Sequence, residues 1–130
     1  MIKTFVFAAA TLTAAVSARA DECPVGRDPD GIVTEIRQAS GCRQASHIAR
    51  QCASGAGGDV RLTAIVAEIC EKAFLPSLDR RGRAIYAQQR AACRGKYRHE
   101  DGTLYRSFEA FCEARVSERF AQAAVRRKSP

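Results

Sequence analysis

A chain of 130 residues with 46% hydrophobic and 27% charged composition has room for one domain and one modest core, which excludes a multidomain enzyme. Six cysteines, two histidines, no tryptophan and a formal net charge of +7 mark a small exported module rather than a cytosolic catalyst.

Residues 1–20 read as a secretory signal peptide. Lys3 supplies a positive start, Thr4 to Ala15 form an apolar run, and Ala18-Arg19-Ala20 places small residues where a signal peptidase needs them. The run is too short to cross a hydrocarbon core of about 30 Å, so no transmembrane segment is expected. Cleavage near Ala20 implies a periplasmic or secreted protein. Cys23 stands two residues beyond Asp21, which argues against a lipid anchor at the cleavage point. Residues 21–130 keep all six cysteines and carry nineteen Lys and Arg against fourteen Asp and Glu, a net +5.

Turn formers and charges in residues 21–31 predict an irregular N-terminal arm, followed by a single cysteine-rich helical domain over residues 32–130. Ile32 with Ile36, then Ala45, Ile48, Ala49 and Cys52, recur at helical intervals. Ser40-Gly41 interrupts them, so two short helices are expected. Gly55 to Gly58 break the chain, and Asp59 reads as the N-cap of a helix whose Leu62, Ile65, Val66, Ile69, Cys70, Ala73 and Phe74 form one stripe. Pro76 disfavours helical geometry at Leu75. Ser77 then reads as the cap of a helix with Ile85, Tyr86, Cys93 and Tyr97 on one side. After the turn Asp101-Gly102-Thr103, a last helix is expected from about Leu104 to Val125. Phe108, Phe111, Cys112, Val116 and Phe120 would face inward, and Arg126-Arg127-Lys128 would form a favourable cationic end. No run alternates as a strand does. The expected fold is all-α, a small antiparallel helical bundle stapled by about three disulfides.

An even number of cysteines in a short exported chain implies a disulfide framework. Cys93 and Cys112 lie equally far on either side of Gly102-Thr103, where a helical hairpin brings them face to face, and this pair is favoured. Closing a loop of that size stabilises by about 3 kcal/mol through the unfolded state. Cys23, Cys42, Cys52 and Cys70 allow three pairings, and spacing does not choose among them. Zinc binding is the rival reading, but neither C-x-x-C nor H-x-x-x-H occurs, so no metal or other cofactor is expected. A reactive thiolate needs exposure, and three of the cysteines fall on apolar helix faces.

Charge is unevenly spread. Residues 76–100 hold seven Lys and Arg against Asp79 and Glu100, whereas the other residues from 21 onward carry twelve of each sign. Arg83, Arg90, Arg94 and Arg98 follow helical steps and predict a basic stripe. Such a stripe contacts an anionic envelope polymer or partner, or is simply a solvated face opposite the core. It contains no aromatic side chain to stack on bases, so no specific nucleic acid is expected. Catalytic constellations are poor. His47 and His99 are far apart, and Glu68 with Glu71 and Glu109 with Glu113 share helix faces as solvated charges commonly do. Asp28-Pro29-Asp30-Gly31 opens like a calcium loop but lacks the later ligands. A binding protein is expected rather than an enzyme.

The segment Cys70-Glu71-Lys72-Ala73-Phe74-Leu75-Pro76-Ser77-Leu78-Asp79, with Tyr86 seven residues on, resembles the C-x4-L-x2-LD-x6-Y core of the LprI-like lysozyme inhibitor family. Arg83 to Cys93, then Gly102-Thr103, Ala110-Phe111-Cys112 and Arg119, are similar to that family's second half, and Cys42-x2-Ala45 to Cys52 to its opening. The likeness spans roughly residues 42–120, with Ile85 where the family has Trp and Gly82 where it has Leu. The resemblance implies a disulfide-linked helical domain of the bacterial envelope that binds a lysozyme-type muramidase by non-covalent contact. Because common lysozymes are basic, it also implies that an acidic face, Glu109, Glu113 and Glu118, makes the contact.

Overall fold

The computed structural model describes residues 22–129; the expected signal segment, residues 1–20, lies outside the described residues. Five α-helices follow one another: α1 (Pro29–Arg37), α2 (Cys42–Gln51), α3 (Gly58–Phe74), α4 (Arg80–Tyr97) and α5 (Thr103–Lys128). A single 3₁₀ turn, Leu75–Ser77, joins α3 to α4, and no strand occurs among the described residues. The fold is all-α, as composition and periodicity imply.

Local chemistry sets the helix starts, and here three expectations need correction. The irregular arm ends at Asp28, three residues early, because Asp28 caps α1. Its carboxylate accepts from Gly31 N at 2.7 Å, with Pro29 at the first helical position. Asp59 is not a cap, since α3 begins one residue before it, and it is fully buried. Ser77 is not a cap either. Its hydroxyl donates to Phe74 O inside the 3₁₀ turn, while Asp79 caps α4 by accepting from Gly82 N at 2.7 Å. Gly102, at φ +105°, makes the turn into α5 in a region that side chains other than glycine rarely enter.

Successive helices run antiparallel, so α1, α3 and α5 point one way. Asp59 meets Ser107 near the starts of α3 and α5, and Phe74 meets Phe120 farther along both. The central helix is α3, packed on α1, α2 and most extensively on α5. The core is built from Ile32, Val33, Ile36, Ala45, Ile48, Ala49, Leu62, Ile65 and Val66, closed at one end by the rings of Phe74, Tyr86 and Phe120 at centroid separations of 5.0–5.4 Å. Two residues expected inward are not: Ile85 is 40% and Phe108 44% exposed. Ile85 lies on α4, whose principal helix neighbour is α5 alone, which leaves α4 a narrow buried stripe of Tyr86 and Cys93.

All six cysteines are paired. Cys23–Cys52 holds the arm against the end of α2, Cys42–Cys70 joins the start of α2 to α3, and Cys93–Cys112 staples α4 to α5 as hairpin symmetry predicts. Loops of 29, 28 and 19 residues fall in the range where each closure is worth about 3–4 kcal/mol. For a domain with so small a core, these crosslinks are a large share of stability. Three disulfides fit an oxidising, extracytoplasmic compartment. No helix among the described residues is long and apolar enough to cross a membrane.

Candidate interaction site

The α4–α5 hairpin is attached to α3 at one level and stands away from it at another. At the attachment, Glu71 of α3 accepts from the Tyr86 hydroxyl at 2.6 Å and pairs with Arg90 at 3.4 Å. Arg90 also binds Glu113 of α5 at 2.7 Å, Arg94 reaches the other oxygen of Glu113 at 3.1 Å, and Ser117 Oγ lies 2.7 Å from the Tyr86 oxygen. Burial, then the hydrogen bond to Glu71, push the Tyr86 phenol up to about 12. Burial alone would lower the Arg90 guanidinium, but Tyr86, Glu113 and Glu71 outweigh it and raise it. The group of side chains is a closed ionic joint between three helices.

Beyond that joint α4 diverges from α3 and leaves a cleft of about 650 Å³ above α5. Val60, Ala64 and Ala67 form the α3 wall, Tyr97 and Arg98 the α4 wall, and Arg106, Glu109 and Ala110 the floor. Tyr97 also belongs to an aromatic cluster whose other members, on α5, lie outside the cleft lining. The Phe108 ring lies 6.3 Å from Tyr97 and 6.1 Å, edge-on, from Tyr105. Tyr105 is 36% exposed, and Leu104 beside it is also exposed. Lys96 Nζ sits 5.1 Å over the Tyr97 ring.

This end of the molecule is held by Asp59. Its carboxylate accepts from Ser54 N, Ser54 Oγ, Gly55 N and Ser107 Oγ at 2.6–3.2 Å, so the loop before α3 and the first turns of α5 are tied through one buried side chain. Burial would raise its pKa, but the donors from Ser107, Ser54 and Gly55 more than offset that and hold it below the usual 3.8. Cys93–Cys112 fixes the hairpin one turn inside the aromatic cluster. The exposed rings are thus mounted on a rigid base.

The two sequence-predicted charged faces meet each other. In the basic stripe, Arg90 and Arg94 share Glu113, and Arg90 also pairs with Glu71. Arg83 donates to the carbonyls of Leu75 and Leu78, closing the 3₁₀ turn, and Arg98 donates to His99. Arg90 thus belongs to an internal seam, whereas Arg83, Arg94 and Arg98 remain exposed, and Arg83 and Arg98 have no acidic partner among the described residues. In the acidic face, Glu113 is consumed by those arginines and Glu118, nearly buried, binds Arg50 at 2.8 Å. Only Glu109, half-buried in the cleft, has no hydrogen-bond or ion-pair partner among the described residues. Asp28 and Asp30, the incipient calcium loop, are respectively the α1 cap and a partner of Arg61.

The aromatic cluster is the feature that spacing analysis missed. A signal was present: Leu104, Tyr105, Phe108, Phe111 and Cys112 spread over more of α5 than one buried stripe occupies, so some had to face solvent. Comparison of the chain with family models, with curated proteins and with solved structures finds no match.

Proposed function

We propose that the protein is an exported binding module that acts by non-covalent contact with a partner protein, without catalysis of its own. The contact is made by the aromatic end, with Tyr97, Tyr105 and Phe108 as anchors and the α3–α4 cleft receiving a protruding segment of the partner. The observation that carries this reading is a three-ring cluster, with Tyr105 and Phe108 exposed and Tyr97 half-buried, on a base fixed by Asp59 and Cys93–Cys112. Rigid aromatic side chains bury large area at low entropic cost and dominate interface energetics. The carboxylates that would serve acid–base chemistry, Glu71 and Glu113, are ion-paired with arginines, which suits structure better than proton transfer.

The resemblance to lysozyme inhibitors makes a lysozyme-type muramidase the first partner to test, with Glu109 the acid placed to meet a basic enzyme. Oxidised protein is expected to slow lysozyme turnover at physiological salt, and Tyr105→Ala with Phe108→Ala to weaken inhibition about a hundredfold. Absence of inhibition across animal, phage and bacterial lysozymes overturns the muramidase assignment. Capture of the same partners from envelope extract by wild type and the double variant overturns the aromatic site.

A further inference from the structure

The opposite end of the bundle carries a second surface of different chemistry. Contacts of Cys93 with Cys112, Arg90 with Glu113 and Tyr86 with Ser117 set the register of α4 against α5. About one and a half turns before Tyr86, Arg80 and Arg81 fall level with the last two turns of α5, which carry Arg126, Arg127 and Lys128 at their end. All five cations are exposed, and none has an ion-pair partner among the described residues. The acid beside them, Asp79, is engaged at the α4 cap. Val125, 60% exposed, adjoins Arg126 in the chain, and Pro76, exposed on the 3₁₀ turn, precedes Arg80 by four residues.

From this arrangement we infer that the cationic end docks the protein on an anionic phospholipid bilayer. Charge complementarity favours a partner with densely spaced negative groups, because five cations from two helices share one convex helix-bundle tip. The described clefts lie elsewhere, one at the aromatic end and one between α2, α3 and α5, so the tip is suited to an extended surface and not to an isolated phosphate. Exposed aliphatic groups near the cations in the chain suit the headgroup boundary, where apolar side chains enter and Arg and Lys meet phosphates. No exposed aromatic ring occurs at this end among the described residues, so base stacking has no platform. The inference is independent of the aromatic end and leaves it facing away from the bilayer, free to bind a protein.

The experiment is sedimentation of the oxidised protein with phosphatidylcholine vesicles, with and without phosphatidylglycerol, across a salt series. Binding is expected only with phosphatidylglycerol and should fade as salt rises. The variant Arg80→Gln, Arg81→Gln, Arg126→Gln, Arg127→Gln is expected to bind about a hundredfold more weakly. A control of equal charge change at other positions, Arg27→Gln, Arg61→Gln, Lys96→Gln, Arg98→Gln, should retain most binding. Circular dichroism confirms that both variants fold. Equal loss in the two variants, binding to phosphatidylcholine alone, or no vesicle binding alongside retention of soluble polyphosphate each overturns the inference.

Discussion

An aspartate stands near the start of a helix at each end of the bundle, and the two do different work. Asp79, at the cationic end, is exposed and satisfies Gly82 N three residues ahead. Asp59, at the aromatic end, is fully buried and collects donors from its own loop and from Ser107, 48 positions away. One ends a helix; the other joins elements distant in sequence. The contrast extends to the surfaces they support. Rings that meet a shaped partner need a fixed base, whereas cations that meet a diffuse anionic surface act over a Debye length and tolerate loose geometry.

The sharpest test of that contrast removes Asp59. Asp59→Ala leaves the buried Ser107 hydroxyl and the half-buried Gly55 N without their acceptor, and is expected to cost about 3–4 kcal/mol in urea unfolding. The same carboxylate makes this end acid-sensitive. Its folded pKa lies below the ordinary 3.8, so the unfolded chain binds its proton more readily. Its stabilisation is therefore complete above that ordinary value and is lost as pH falls through the lower, folded one. Stability of the wild type should fall as pH drops below about 4, and Asp59→Asn should remove part of that fall. An unchanged profile in Asp59→Asn would assign the acid sensitivity to other carboxylates.

Cys93→Ser with Cys112→Ser comes next, at about 3 kcal/mol for its loop. If the aromatic end depends on a rigid base, this variant also weakens partner binding under conditions where it remains folded, and vesicle binding is unaffected. This disulfide was also the most legible part of the fold. A hairpin places equidistant residues together, so its pairing follows from position, while the Cys23–Cys52 and Cys42–Cys70 pairings depend on how α1 to α3 cross and leave no such trace. The same limit explains the site. Periodicity in one helix reveals that Arg90 and Arg94 share a face, but not that Glu113 of the next helix lies under it. The Asp28-Pro29 pair, in contrast, was readable as a cap and first helical residue, and treating it as loop overlooked a local signal.

At the cationic end Asp79→Ala should cost about 1 kcal/mol, the usual value of an exposed N-cap. The difference from Asp59→Ala is the quantity of interest. Equal losses would mean that Asp79 also acts through something larger than its cap, and the proposed division between a fixed and a tolerant end would fail.

The smallest effect has the opposite sign. Gly95 lies within α4, and a Cβ built there meets nothing within 4 Å. Gly95→Ala should therefore stabilise by about 0.5–1 kcal/mol, through better helix propensity and a less flexible unfolded chain. Gly102→Ala, seven residues on, should destabilise instead, because φ of +105° strains any side chain. Stiffening α4 beside the aromatic cluster also tests how far that end is already ordered. If Asp59 and the disulfide have fixed the rings, Gly95→Ala raises the melting temperature and leaves partner affinity where it was. A gain in affinity accompanying the gain in stability would show that the cluster still pays an ordering cost on binding, and that the base is less rigid than its crosslinks imply.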